Sequence, residues 1–381
     1  MAEAFKNMYN EQFFDLFTKD LKQVLNDFDA RAFVSCIRDD EWENREFKQR
    51  CRHITSVLKK FLPTDYKEAI AKILELLAYV EKTRPDFSKI DDKKFGLTLE
   101  YGTILDNFVE QYGLDDYETS VKAIEKITQF TSCEFAVHPL IVQYPDEMMK
   151  QMLAWSRHAH WGVRRLASEG CRPRLPWAMA LPGLKKNPAP ILPILENLKN
   201  DPARFVRLSV ANNLNDIAKD HPETVIGLAR KWQGESKEID WVIKHGCRTL
   251  LKQGVPEAMA LFGFDSAKNI HIEHFHLSTP EVKIGNSLAF DFNLANKTRE
   301  KARIRLEYAI YYQKANGTLT RKVYKISEKE YATNSITPIS RTHSFRVVTT
   351  RKFHLGLHQV AVIANGKEFK KYNFELKASI P

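Results

Sequence analysis

The segment HWGVRRLASEGCRPRLPW, residues 160–177, reads first as a helix and then as a loop. Val163, Leu166 and Ala167 recur at the interval that puts them on one helical face. Glu169 follows, set among Arg164, Arg165, Arg172 and Arg174, and two prolines lead on to Trp177. The opening of this segment, VRRLASEG (163–170), is echoed by VRLSVANN (206–213) and VIKHGCRTL (242–250). Val163 and Val206 are 43 residues apart, and Val206 and Val242 are 36 apart. A weaker copy, SVKAIEKI (120–127), puts Val121 42 residues before Val163. Periods of this size predict helical hairpins, none of which can bury its apolar face alone, so that they stack.

Helical spacing continues to about residue 266, with AIAKILELLAYVEK (69–82) and ILPILENLKN (191–200) as clear cases, and FLPTD, QYGLDD, KNDPAR and KDHPE mark the connections. A Val-Arg pair opening a second helix once per repeat is a HEAT-like pattern, and such hairpins build a solenoid with a concave wall. Beyond residue 266 the apolar residues alternate. IHIEHFHLS (270–278), SLAFDFNL (287–294), ARIRLEYAIYY (302–312), SFRVV (344–348) and HQVAVIA (358–364) read as strands. Asn316-Gly317 and Asn365-Gly366 fall between strand-like runs, which is the pattern of tight hairpins. The expected fold is therefore multidomain: an all-α HEAT-like repeat solenoid over residues 1–266, then an all-β immunoglobulin-like sandwich of roughly seven strands over 267–381.

The net charge of +10 is unevenly spread. Residues 1–129 hold 20 Lys and Arg against 25 Asp and Glu, residues 130–267 hold 18 against 14, and residues 268–381 hold 20 against 9. The balances of −5, +4 and +11 point to a polyanion engaging the middle and the end of the chain. Nucleic acid fits better than an anionic membrane, because no basic amphipathic helix with an aromatic face stands out. No run of about 18 apolar residues occurs. The N-terminus lacks a signal peptide's features, and five scattered cysteines imply reduced thiols, so a cytoplasmic protein working at the nucleoid is expected. Nucleotide-loop, HExxH and GxSxG motifs are lacking, and His138, His158, His160 and His245 are not at metal-ligand spacing, so neither cofactor nor metal is implied.

Three carboxylates follow apolar helical faces roughly one repeat apart: Glu134 in TSCEFAVHPLI, Glu169, and Asp216 in VANNLNDIAK. Equivalent positions in a solenoid become lateral neighbours, so the three are expected to converge on one concave surface. Each also has a plain alternative. Glu134 completes a capping box after Thr131-Ser132, Glu169 pairs locally with Arg165 or Arg172, and Asp216 is a polar residue ahead of Lys219. Arg164, Arg165, Arg172, Arg174, Arg207, Lys219, Lys244, Arg248 and Lys252 recur on or after second helices, with Asn212, Asn213 and Asn215 beside them, as a track for a DNA backbone would. Trp177 is either core or a stacking surface, while Trp155, Trp161, Trp232 and Trp241 are expected to pack between repeats.

Taken together, SCEFAVHPLI, VRRLASEGCRPRLPW, VRLSVANNLNDIAKDHP and IKHGCRTLLKQG resemble the AlkC branch of the AlkC/AlkD-like alkylpurine DNA glycosylases. The C-terminal strands are similar to the immunoglobulin-like extension found in a subset of that family. The resemblance implies hydrolysis of the N-glycosidic bond of a cationic methylated base such as 3-methyladenine in duplex DNA, without swinging the base into a deep pocket. It carries Glu134, Glu169 and Trp177 into the active site, with Asp216 as a further candidate. Arg164, Arg165, Arg172, Arg174 and Arg207 are assigned to the DNA backbone, and the +11 sandwich is expected to close around the duplex. The absence of an obvious Schiff-base lysine in the carboxylate motifs implies a monofunctional enzyme. The competing reading is a non-catalytic HEAT-repeat adaptor, since such arrays are most often scaffolds.

Overall fold

The computed structural model describes residues 5–84, 99–347 and 352–379. Sixteen α-helices among the described residues are followed by eight strands. The chain divides into two compact units, Met1–Gly246 and Cys247–Pro381.

The first unit opens with α1 (Glu11–Leu21), α2 (Ala30–Ile37), α3 (Phe47–Phe61) and α4 (Tyr66–Thr83). Asn10, Asp29 and Asp65 cap three of these by accepting from first-turn amides, as short polar side chains do at positions whose N–H groups lack helical partners. Then come α5 (Leu99–Tyr112), α6 (Tyr117–Ile127), α7 (Val137–Gln143), α8 (Pro145–Trp155) and α9 (Trp161–Glu169). Two short helices, α10 (Pro182–Lys186) and α11 (Leu192–Leu198), lead to α12 (Arg204–Ile217), α13 (Pro222–Trp232) and α14 (Lys237–Gly246).

The repeat valines do what their spacing demands: Val163, Val206 and Val242 are fully buried, on α9, α12 and α14, which pack in that order. Each such burial contributes about 1.5–3 kcal/mol. A Cβ on Gly246 would come 2.8 Å from Leu214 Cβ, so the close approach of α14 to α12 requires glycine there. Trp155 and Trp232 end α8 and α13, are buried, and donate their indole N–H to Glu125 at 2.8 Å and to Glu196 at 2.9 Å. Trp161 is only half-buried, against Phe205, and Trp241 is exposed and stacks on His245. These two are less enclosed than interior packing predicts.

The second unit begins with α15 (Arg248–Gln253) and α16 (Pro256–Leu261). The third sequence repeat, VIKHGCRTL, is thus split between two helices at Gly246-Cys247. The strands are β1 (Ile270–Leu277), β2 (Glu281–Lys283), β3 (Ser287–Asn296), β4 (Ala302–Gln313), β5 (Leu319–Tyr331), β6 (Ser335–Ser344), β7 (Gly356–Ala364) and β8 (Lys367–Lys377). They form a three-stranded sheet, β1-β3-β6, and a five-stranded sheet, β2-β8-β7-β4-β5. Alternate residues of β3 (Leu288, Phe290, Phe292, Leu294) and β4 (Ile304, Leu306, Ile310) share one core with Val360, Val362 and Phe374. The β7–β8 turn has positive φ at both Asn365 and Gly366, as a two-residue hairpin requires.

SFRVV is a correction: β6 ends at Ser344, Phe345–Val347 lie outside any strand, and Val348 is outside the described residues. Phe345 is nonetheless buried, held by backbone bonds to Gly285 and Asn286. Burial, not strand pairing, explains the apolar residue. The charge-rich β5 and β6 pair instead with β4 and β3.

Candidate active site

Glu169 is the last residue of α9, Asp216 is one residue from the end of α12, and Glu134 lies in the turn before α7. Two arginines join the three carboxylates into one strip. Arg165 donates through Nη1 to Glu134 Oε2 at 3.0 Å and to Ser132 Oγ at 2.9 Å, and its Nη2 lies 3.7 Å from Glu169 Oε1. Arg172 donates through Nη1 to Glu169 Oε1 at 2.7 Å, while its Nε and Nη2 each reach Asp216 Oδ2 at 2.9 Å. Lys219 Nζ ends the strip, 3.0 Å from Asp216 Oδ1. Acidic and basic groups therefore alternate from Glu134 to Lys219.

The side chains of Glu134, Glu169 and Asp216 are 17%, 8% and 3% exposed, so access falls steadily from the Glu134 end. Burial opposes ionisation of Glu169, but Arg165 and Arg172 more than offset it and hold the carboxyl below its ordinary range. Glu169 is thus a carboxylate at neutral pH. Ion pairs this buried add little net stability over apolar packing, because desolvation consumes much of their attraction. A buried carboxylate held ionised between two arginines is the kind of arrangement that marks a candidate site for chemistry.

Trp177 stands apart from the core at 62% exposure, with a left-handed backbone at φ 69°. Its ring meets Phe5 edge-on at 6.3 Å and Phe47 at 6.3 Å. Lys48, at the start of α3, donates to the Trp177 carbonyl and lies 4.6 Å over the ring of Phe135, the neighbour of Glu134. Phe5, Phe47, Lys48 and Trp177 help to line a cleft of about 300 Å³. Beneath the Glu134 turn, buried Asp106 of α5 accepts from the amides of Phe135 and Ala136.

The chain between residues 99 and 248 matches the family model described as "DNA alkylation repair enzyme", and residues 271–378 match "Uncharacterised protein YhaZ, C-terminal Ig-like domain". A Bacillus subtilis (strain 168) protein, "Uncharacterized protein YhaZ", is 40% identical over 371 residues, covering 97% of this chain and 99% of its own. The Pseudomonas fluorescens alkylpurine DNA glycosylase AlkC, solved bound to DNA containing an abasic site analog, superposes with a TM-score of 0.89. It shares 30% identity, covering 99% of this chain and 100% of its own. The chain belongs to the AlkC branch of the DNA alkylation repair enzyme family.

In this AlkC-branch protein the three acids are brought together, but not by repeat equivalence. Counting from Val163 and Val206, the counterpart of Glu169 is Asn212, one turn before Asp216, and Glu134 is on no helix. Convergence comes from the bridging guanidiniums. The local pairings of Glu169 and of Asp216 with Lys219 are also present, so those two plain alternatives describe the same bonds. The capping box at Glu134 is a correction: the N-cap of α7 is Ala136, without a side-chain cap, and Glu134 instead receives the Ser132 hydroxyl.

Of the cations expected along a DNA backbone, several have partners within the protein. Arg165 and Arg172 point into the strip and hold carboxylates. Arg164 is bound to Asp201 and to the carbonyls of His158 and Ala159, Arg207 to the carbonyls of Asp201 and Pro202, and Arg174 to Asp220. Asn215 is buried, Asn212 is half-buried, and Arg248 and Lys252 lie on α15 in the second unit. Asp106, Phe47 and Lys48 also lie beside Glu134 and Trp177, with no signal in the sequence. An Asp in an amphipathic helix and a Phe-Lys pair far upstream carry no local motif.

Proposed function

We propose that this protein hydrolyses the N-glycosidic bond of cationic, 3-methyladenine-type bases in duplex DNA and leaves an abasic site without cutting the strand. The observation that carries this reading is the arginine-bridged strip Glu134–Arg165–Glu169–Arg172–Asp216. It occurs in a chain 30% identical over nearly its full length to AlkC of Pseudomonas fluorescens.

A methylated, cationic base departs without a general acid, and positive charge then grows on the deoxyribose. Fixed carboxylates beside that sugar stabilise the transition state more than the ground state, because the charge is absent beforehand. Glu134 and Glu169 share Arg165 and form the more accessible end of the strip, so they are the pair that faces the sugar and its attacking water. Asp216, the most enclosed, fixes Arg172 from behind. Trp177 offers its exposed ring to the cationic nucleotide. Carboxylates bridged by arginines along a strip, with an exposed indole nearby, favour cleavage without base flipping. Lys219 is engaged by Asp216, which agrees with hydrolysis and not Schiff-base chemistry. The sandwich unit, with its excess of Lys and Arg, adds phosphate contacts.

Incubation with methylated duplex DNA, followed by chromatography of the freed bases, tests the reading. The wild type releases 3-methyladenine, and Glu134→Gln and Glu169→Gln bind DNA but release it poorly. Binding without release from any methylated substrate would instead identify the adaptor.

A further inference from the structure

Asp106 lies in the middle of α5 and is 2% exposed. Ala136 N–H donates to its Oδ1 at 2.9 Å and Phe135 N–H to its Oδ2 at 3.3 Å. Both amides stand just before α7, so neither has an intrahelical carbonyl to meet. Asp106 thus holds, from another helix, the two amides that lead into α7, and the two gripped residues directly follow Glu134. We propose that Asp106 is a positioning residue for Glu134, fixing the turn that aims its carboxylate at the sugar.

The inference rests on the glycosylase reading of the same strip. Holding an amide does not in itself call for a carboxyl at this depth, since an Asn or Ser acceptor satisfies an amide without a buried charge. A carboxylate differs in accepting both amides through charge-assisted bonds, roughly twice as strong as neutral ones. Burial pushes the Asp106 carboxyl up to about 8, against the pull of the Ala136 amide, and the nearby carboxylates Glu110 and Glu134 add to the rise. The other groups facing it are Cys133 of the same turn and Cys51 of α3. Burial raises both thiols, Cys51 to about 12 and Cys133 well above its ordinary value, so both stay neutral through pH 8. Arg165 stands on the far side of Glu134 and is charged throughout.

The sign follows. Below pH 8 Asp106 is protonated and grips the turn loosely. Above pH 8 it is ionised, grips both amides, and adds negative potential near the site of developing positive charge. Single-turnover release of 3-methyladenine by the wild type therefore rises about 10-fold between pH 6.5 and 9. Asp106→Asn imitates the protonated state. It is slower than wild type at pH 9 by about 10-fold, the whole of the wild-type rise. Its rate is level across the same range.

Rates are measured for both proteins at saturating enzyme, with thermal melts to confirm folding and enzyme-free DNA subtracted. A level profile for Asp106→Asn beside a rising wild type supports the assignment. The same profile for both, at whatever absolute rate, overturns it. Should Asp106→Asn not fold, Asp106→Ser removes the titrating group and keeps an acceptor. A wild-type rate without a rise through pH 8 overturns the assignment without any variant. Failure of the wild type to free any methylated base is a different result, and it removes the glycosylase reading on which this one stands.

Discussion

Arg172 is the joint between Glu169 and Asp216, and its removal has a calculable consequence. Arg172→Met keeps the aliphatic stem but deletes one bond to Glu169 and two to Asp216. Two buried carboxylates lose their nearest guanidinium, a loss of about 3–5 kcal/mol where no partner remains. Here Lys219 still holds Asp216 at 3.0 Å, and Arg165 stays 3.7 Å from Glu169. The expected destabilisation is therefore at the lower end, about 3 kcal/mol at pH 8.

The pH dependence is the sharper part. In the wild type Glu169 titrates below its unfolded value of about 4.3, so its contribution is present above that pH and lost as pH falls through the folded value. With Arg172 gone, burial dominates and the folded value moves above the unfolded one. Protonation then relieves the variant, and its deficit shrinks to below about 2 kcal/mol at pH 5, since one pH unit corresponds to about 1.4 kcal/mol. Urea unfolding at the two pH values, followed by tryptophan fluorescence, measures this. All six tryptophans lie between residues 42 and 241, so the signal reports the helical unit. An equal deficit at both pH values, or less than about 1 kcal/mol at pH 8, would show that Glu169 does not depend on this joint.

Glu134→Gln and Glu169→Gln are expected to slow base release by about 100- to 1,000-fold with DNA affinity retained, which single-turnover assays beside binding titrations will show. Trp177→Ala should reduce release while shifting unfolding free energy by no more than about 0.5 kcal/mol, because the ring is largely exposed. Trp177→Gly should unfold no more readily than Trp177→Ala, since glycine accepts φ 69° freely; a clearly lower melting temperature for the glycine variant contradicts the backbone geometry. Replacing the exposed Lys322 and Lys370 with Gln should lessen the dependence of DNA binding on salt, by about 0.9 in log–log slope for each phosphate no longer neutralised, and an unchanged slope would exclude both from the interface.

The sequence by itself determined the repeat and the switch in architecture. Val163, Val206 and Val242 had to be buried because a helical hairpin leaves one apolar face uncovered, and the alternation in SLAFDFNL had to be a strand with one face inward. It also marked Glu134, Glu169, Asp216 and Trp177 as candidates, because acidic side chains next to an apolar face and an indole following two prolines are locally conspicuous. The tertiary structure alone decided what the arginines do. An arginine beside buried positions has the same local signature whether it reaches out to a phosphate or inward to a carboxylate 31 to 44 residues away, and here Arg165 and Arg172 reach inward. It alone brought Lys48 to Trp177 across 129 residues and Asp106 under the Glu134 turn. Hydrophobic periodicity is written along the chain, whereas the partner of a charge is fixed only when stacking brings polar atoms of distant helices within about 3 Å of one another.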